Sequence, residues 1–448
     1  VEEINTVYVD IDPKLDSKTL KISSRLVGCY PIMPDQNISI RIGKLKEKFS
    51  LYLVEDDSHM LAFNPQTLNR LALSPQQKYN VKINKEEIRL GPVVAIMADL
   101  NKTSRDKPFG GQSSFIKQAI KIGQGLGELC FAFSPYSIDW KKKKIRGYTI
   151  KEDSWIPGVF PFPDVIYPRD RMTNAQKMRI RKRLSRNGIS MLTSSLLDKW
   201  ETYKILSEDT EIKPHLPDTR LVVDFGRQVD NMLNKYGAVY LKPIGGEQGK
   251  NIIKVIKKKN GIYQYWGHNS KQPISGQTSS ITELYLNLKS IMMNRKYIVQ
   301  KEINLIRWQN KIIDVRVLVQ KSYGHQWHIT GIACRIGGNG AIASNISCGG
   351  TAKKLEEVLK FNFEQAQIKY IVLKLQQLAL KVARVLEFRI GNCGEMGIDL
   401  GIDKKGKIWF IEANLRPARQ VFTLMGENET RIKSITNPML YAKYLGGF

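Results

Sequence analysis

Residues 91–100, GPVVAIMADL, are the stretch that most narrows what this chain can fold into. A near-continuous apolar run opened by Gly-Pro is the pattern of a strand buried on both faces, which a chain satisfies by covering both sides of a sheet. Helical spacing follows at Phe115, Ile116, Ala119, Ile120 and Ile122, and then come two more buried-strand patterns, ELCFAFSP and DVIYPR. Strand, helix, strand predicts an α/β unit over residues 91–188. The glycines of IGQGLGE end that helix instead of following a strand, so they are a weak sign of dinucleotide binding. Residues 1–90 read differently. Short period-two bursts (TVYVDI, LKISSRLV, ISIRIG, FSLYLV) separated by Pro, Asn, Asp and Gly predict a small β-rich domain with no catalytic constellation.

From about residue 189 the pattern is α+β. LLDKWETYKIL reads as a short helix, AVYLKPIGGEQGKNIIKVIKK as strand, glycine turn and strand, and KYIVQKEIN, KIIDVRVLVQK and WHITGIACRIG as further strands. A long amphipathic helix follows, with Ile371, Val372, Leu375, Leu378, Ala379, Val382, Ala383 and Leu386 on one stripe, which is core packing. MGIDLGI and KIWFIEA then read as two strands joined by the turn DKKG. Alternation points Glu412 and Asn414 to the same side, and antiparallel pairing brings Asp399 beside them. Clustered oxygens of this kind suit a hard, partly hydrated cation such as Mg²⁺ shared with phosphates; a solvated hairpin face is the alternative.

In YLKPIGGEQGKNI, Lys242 closes a strand, and Gly245, Gly246 and Gly249 permit a turn whose N–H groups can face phosphate oxygens. An ordinary hairpin turn fits as well, and the P-loop spacing is not matched. Asp314 and Arg316 share a strand face, and Arg335 ends the next strand; guanidiniums there would clamp phosphate or carboxylate, or form surface salt bridges. IASNISCGG predicts a flexible loop carrying Asn345, Gly349 and Gly350.

Composition adds boundaries. The 448 residues predict two to four compact units. No apolar run reaches a membrane span, and no secretory segment is read at the start. The 5 cysteines are scattered without a C-x-x-C pair, predicting a reducing compartment and neither a disulfide frame nor a zinc site. The 5 histidines show no metal-ligand spacing. With 70 basic against 42 acidic residues, the net charge of +28 predicts an affinity for polyanions or a soluble, solvated surface. The charge concentrates in WKKKKIR, read as a loop holding Lys141 to Lys144. A second concentration is a basic stretch with Arg169, Arg171, Lys177, Arg179, Arg181, Lys182, Arg183 and Arg186. That stretch is predicted helical from about Asn174, capped by Thr173 and stopped by Gly188. No zinc-finger spacing, RNP-like aromatic motif or basic heptad array is present, so dedicated nucleic-acid binding is not expected.

The order of these features resembles the ATP-grasp superfamily of carboxylate–amine ligases. The DK of LLDKWETYKIL resembles its first nucleotide lysine (Lys199), YLKPIGG the second lysine with its mobile glycine loop, and VQKEI the adenine hinge. DVRVLVQ, ACRIGGNGAIASNISCGG and MGIDLGID…WFIEANLRP resemble its phosphate and metal strands. The β-rich leader, LGPVVAIM, and VIYPR before a basic helix narrow the resemblance to the YheC/YheD group of spore-associated proteins. It implies a multidomain α/β and α+β fold: a β-rich domain (1–90), a pre-ATP-grasp domain (91–188) and a two-lobed ATP-grasp domain (189–448, lobes about 189–300 and 301–448). It also implies ATP bound by Lys199, Lys242, Gly245, Gly246, Gly249, Gln300, Lys301, Glu302 and Ile303. Mg²⁺, expected as two ions with Mn²⁺ as an alternative, falls to Asp399, Glu412 and Asn414. Catalysis falls to Arg316 and Arg335, and substrate binding to Asn345, Gly349, Gly350 and Arg419. Ala418 stands where relatives commonly carry Gly, which puts the substrate end in question.

The implied activity is ATP-dependent amide or peptide-bond formation through an acyl phosphate. The expected substrate is an amino acid, acidic peptide or protein, and the expected setting is cytoplasmic, beside spore coat proteins. A nucleotide-binding scaffold of the coat is the alternative. A phosphohistidine route would need His325 or His328 placed on the γ-phosphate.

Overall fold

The computed structural model describes residues 5–448 except 30–36, 57, 102, 172–174, 247–250, 269–271, 293–294 and 339–349. The chain divides into two compact units. The first comprises residues 1–194, 321–326 and 435–448, and the second residues 195–320 and 327–434. The fold is mixed α/β with several sheets, as the sequence patterns predict.

In the first unit, the period-two segments close into a barrel. Alternation explains why: Val7 and Val9, Leu20 and Ile22, and Ile38, Ile40 and Ile42 are fully buried, while Tyr8, Lys21 and Arg41 between them are at least partly exposed. Strand Glu87–Gly91 leads directly into strand Val93–Met97, the opening apolar run, whose five residues are all buried. That strand lies in a sheet between strands Leu129–Asp139 and Val165–Pro168, parallel to both. Helix Ser113–Gly125 packs its Ile116, Ala119 and Ile120 stripe into the same unit. The boundary expected near residue 90 therefore falls inside one compact unit, where barrel and sheet residues share a hydrophobic cluster. Residues 435–448, expected with the second ATP-grasp lobe, also belong to this unit.

WKKKKIR is only partly a loop. The turn ends at Lys143, which adopts a positive φ of 49°, and Lys144 opens strand Lys144–Lys151, paired with Ser154–Pro161 in a hairpin that the sequence did not announce. The basic helix runs Ala175–Arg186. Its expected cap, Thr173, and start, Asn174, lie outside the described residues.

The second unit contains two sheets. One orders strands Thr219–Val222, Tyr297–Lys301, Ala238–Pro243, Ile253–Lys257, Tyr263–His268 and Pro273–Thr278. Helices Phe225–Tyr236 and Ile281–Met292 pack on it through Val229, Leu233, Leu284 and Leu288. The other orders Thr351–Lys353, His328–Ile336, Lys311–Gln320, Glu395–Ile402 and Ile408–Asn414. The long helix Gln365–Ile390 buries its predicted stripe against this sheet. No helix among the described residues is long and apolar enough to cross a membrane.

Candidate functional site

The hairpin of strands Glu395–Ile402 and Ile408–Asn414 turns at Asp403–Gly406, where Gly406 takes the φ of 79° that a tight turn requires. Its register places Asp399 opposite Glu412 and Gly397 opposite Asn414. An irregularity follows, since Leu400 pairs with Phe410 and leaves Ile411 as the extra residue. The amide nitrogen of Asn414 donates to Glu412 Oε1 at 3.0 Å and lies 3.4 Å from Asp399 Oδ2. The three predicted oxygen-bearing side chains thus meet at one end of the hairpin.

Asp399 is 1% exposed and is held by two guanidiniums. Arg316, its cross-strand partner, reaches both of its oxygens, with Nη2 donating to Oδ2 at 3.0 Å. Arg335 Nη2 donates to Asp399 Oδ2 at 2.7 Å, and Arg335 Nε to Asp314 Oδ1 at 2.7 Å. Burial opposes the Arg335 charge, but Asp314 and Asp399 more than offset it, so its pKa is raised. Gly397 makes room for this arrangement. A Cβ there would lie 3.2 Å from the Arg316 side chain and 2.9 Å from Pro417 Cβ.

A cavity in this unit is lined by Lys199, Lys242, Gly246, residues 300–307, Asp314, Arg335, Asp399 and Glu412, with Tyr236, Tyr240 and Trp409 among its walls. Lys199 begins helix Lys199–Ser207, whose start is fixed by a capping box between Asp198 and Glu201. Its ammonium donates to Gly246 O at 3.2 Å and lies 3.4 Å from Glu412 Oε2. Lys242 Nζ donates to Gln300 Oε1 at 2.7 Å, and Gln300 Nε2 to Thr219 Oγ1 at 2.9 Å. Burial takes the Lys242 pKa down to about 8, although Glu412 pulls it upward. Burial would raise Glu412, but Lys199, Asn414, Arg335 and Lys242 bring it down to about 2, so it is a carboxylate at neutral pH.

Gln300, Lys301, Glu302 and Ile303 all line this cavity, as do Lys199, Lys242, Gly246, Arg335, Asp399 and Glu412. Gly245, Arg316, Asn414, Gly350 and Arg419 do not. Arg316 and Asn414 touch cavity-lining residues from behind, through Asp399 and Glu412. Gly350 lies just before strand Thr351–Lys353. Arg419, expected at the substrate, lies apart from this cavity. Its guanidinium is buried against Glu395, Ser434 O at 3.0 Å and Pro417 O at 3.1 Å, so its donors serve the fold. Gly249, Asn345 and Gly349 lie outside the described residues. His325 stacks edge-on to Tyr444, and neither it nor His328 lines the cavity.

Sequence reasoning paired Asp314 with Arg316 but gave it no role in the site; its cross-strand register with Arg335 shows where it acts. It also missed Lys254, which binds the predicted Glu302, and the apolar wall of Leu305, Ile313 and Ile411. Strand alternation could have exposed Ile313 and Ile411, whereas Leu305 lies outside the strands.

The donors fit a partly hydrated divalent cation: two carboxyl groups and an amide, all offering hard oxygens. No cluster of three or more His, Cys, Asp or Glu suited to a metal occurs among the described residues, so such an ion would complete its shell with water or phosphate.

The sequence model of the family described as YheC/D like ATP-grasp matches residues 188–445. The chain is 29% identical over 387 residues to the endospore coat-associated protein YheD of Bacillus subtilis (strain 168), covering 84% of each chain. It is 26% identical over 345 residues to the endospore coat-associated protein YheC of the same organism, covering 75% of this chain and 93% of that one. Among solved structures, the D-cycloserine synthetase DcsG aligns at a TM-score of 0.48 with 12% identity, covering 79% of this chain and 99% of that one.

Proposed function

This chain belongs to the YheC/D-like ATP-grasp family, and we propose that it is an ATP-dependent carboxylate–amine ligase that forms an amide or peptide bond. The observation that carries the proposal is the convergence of two lysines, an ionised glutamate and an arginine-held aspartate on one cavity. Lys199 and Lys242 hold ATP as substrate through its phosphates. The strand end at Gln300–Ile303 offers backbone groups to the adenine edge. Asp399, Glu412 and Asn414 would hold Mg²⁺, which when bound neutralises phosphate charge; we assign two ions, with Mn²⁺ as an alternative.

A substrate carboxylate oxygen attacks the γ-phosphorus, the bond to the β-phosphate oxygen breaks, and ADP leaves. An amine nitrogen then attacks the acyl carbon of the acyl phosphate, inorganic phosphate departs, and the nitrogen loses its proton. Arg335, with Arg316 behind it, stabilises the charge that develops on the transferring oxygens. The apolar cavity wall keeps water from the acyl phosphate. The net charge of +28 favours an acidic peptide or protein as the acceptor. We place that acceptor beside spore coat proteins in the cytoplasm, because both relatives named above are called endospore coat-associated.

The test is ATP-to-ADP turnover screened with amino acids and acidic peptides, followed by mass spectrometry of the products. Turnover that depends on a carboxylate and an amine, with a product lighter than its components by one water, is expected. ATP binding without any acceptor-dependent turnover would instead support a nucleotide-binding scaffold.

A further inference from the structure

The two basic stretches, separated by some thirty residues in the sequence, meet in the first unit. Ile138 and Trp140, at the end of strand Leu129–Asp139 and its turn, pack on the same hydrophobic cluster as Ile180 and Leu184 of helix Ala175–Arg186. The Trp140 ring stands edge-on to Phe162 at 5.8 Å, and the Arg183 guanidinium lies 4.1 Å from its centroid. The lysine turn and the basic helix are therefore joined by a fixed cation–π contact.

The helix divides its cations between two tasks. Lys177 and Arg181 are buried and bound to Asp99 and Asp170, which makes them part of the fold. Arg179, Lys182, Arg183 and Arg186 are exposed and fall at i, i+3, i+4 and i+7, one face of the helix. Lys141, Lys142 and Lys143 are exposed on the adjoining turn. None of these seven makes a salt bridge among the described residues. Residues 140–146 and 175–188 contain no acidic side chain. Asp139, just before the turn, accepts from the backbone N–H groups of Lys141 and Lys142 and is one carboxylate beside seven exposed cations. Like charges in such excess raise the energy of the free protein, and a polyanion would lower it.

We propose that this face is a docking surface for an acidic polypeptide. Carboxylates on one side of an extended chain recur about every 7 Å, close to the about 5–6 Å between neighbouring exposed cations on the helix, and each guanidinium can engage a carboxylate with two bonds. A single-stranded nucleic acid would need aromatic platforms, and the one ring here is already sandwiched by Arg183 and Phe162. A membrane surface would need several apolar side chains to insert, whereas Ile180 and Leu184 point into the core and Met178 alone of the helix's large apolar side chains is exposed. The inference rests on the acidic-acceptor reading for its purpose, but its test does not require turnover.

The experiment is fluorescence anisotropy of labelled poly-L-glutamate with the full chain, without ATP. Binding is expected at low salt and should weaken steeply as salt rises. Arg179→Glu/Lys182→Glu/Arg186→Glu should weaken it about tenfold or more, and Lys141→Gln/Lys142→Gln about threefold. Arg181 and Arg183 are left intact because they hold the helix in place. Thermal melts check the fold, and the neutral pair Lys182→Gln/Arg186→Gln replaces the reversal if that variant melts early. Unchanged binding in the helix variants overturns the proposal, and unchanged binding in the turn variant overturns the single-face assignment. Tighter binding of duplex DNA of equal charge overturns the polypeptide as occupant. Poly-L-glutamate binding in a protein that shows no acceptor-dependent turnover would leave this surface standing while the ligase reading fails.

Discussion

Strand Glu395–Ile402 carries two carboxylates four residues apart on one face, and each is held by arginine, yet they do opposite things. Glu395 is fully buried, and the arginine bound to it, Arg419, spends its remaining donors on the carbonyls of Ser434 and Pro417. Gln320 Nε2 adds a bond to Glu395 at 3.0 Å and another to Ser434 O at 2.8 Å. Everything in that cluster points inward. Asp399 is as deeply buried, but its cluster borders a cavity through Arg335, Asp314 and the neighbouring Glu412. The same ion pair is a structural pin where it is closed and a candidate reaction centre where one side is open. Residue type and spacing did not distinguish them. The surroundings did.

The largest effect expected from this contrast is on stability. Arg419→Ala leaves Glu395 buried without its guanidinium, which should cost about 3–5 kcal/mol; chemical denaturation measures it. A loss of turnover with unchanged stability would make Arg419 a substrate ligand after all and erase the distinction.

Glu412→Gln should act chiefly on the reaction, lowering turnover at least about a hundredfold, with some stability lost at neutral pH because the fold holds this carboxyl down to about 2. It is a cleaner probe than Asp399→Asn, which also strips counter-charge from Arg316 and Arg335. Comparable turnover in Glu412→Gln and wild type would mean the open cluster is structural too.

Lys242→Ala should weaken ATP binding about tenfold or more, the cost of a lost charged hydrogen bond. In the wild type, affinity measured by calorimetry should fall as pH rises through about 8, because that is where Lys242 loses its proton. The variant should lack this slope.

A last test sharpens the comparison with a buried carboxylate that has no guanidinium. Glu128 is pushed up to about 8 by burial, against the Cys130 thiol and Lys443, and its Oε1 has no hydrogen-bond partner among the described residues. Folding therefore favours its neutral form. That contribution is complete below the ordinary value of 4.5 and is lost as pH climbs to about 8. Glu128→Gln, neutral throughout, should gain thermal stability over wild type across that window and then hold a constant lead. A flat difference from pH 4.5 to 8 would show that Glu128 is charged in the folded protein.

What the sequence determined by itself was everything that repeats along the chain. Alternation announced the barrel strands, the unbroken run at 93–97 announced a strand buried on both faces, and a 3.6-residue stripe announced helix Gln365–Ile390. It also announced the hairpin that brings Asp399 to Glu412 and Asn414, because period-two geometry and a four-residue turn leave little choice of register. The hairpin at 144–161 escaped because Gly147, Pro157 and Gly158 interrupt its alternation. Only the tertiary structure decided what happens between distant segments. It placed Arg316 and Arg335 on Asp399, closed Arg419 over Glu395, seated Arg183 on Trp140, and split the basic helix into buried and exposed cations. The physical reason is that a charged side chain looks the same in the sequence whether it meets water, a ligand or a buried counter-charge. Burial and partners, not identity, set what it does.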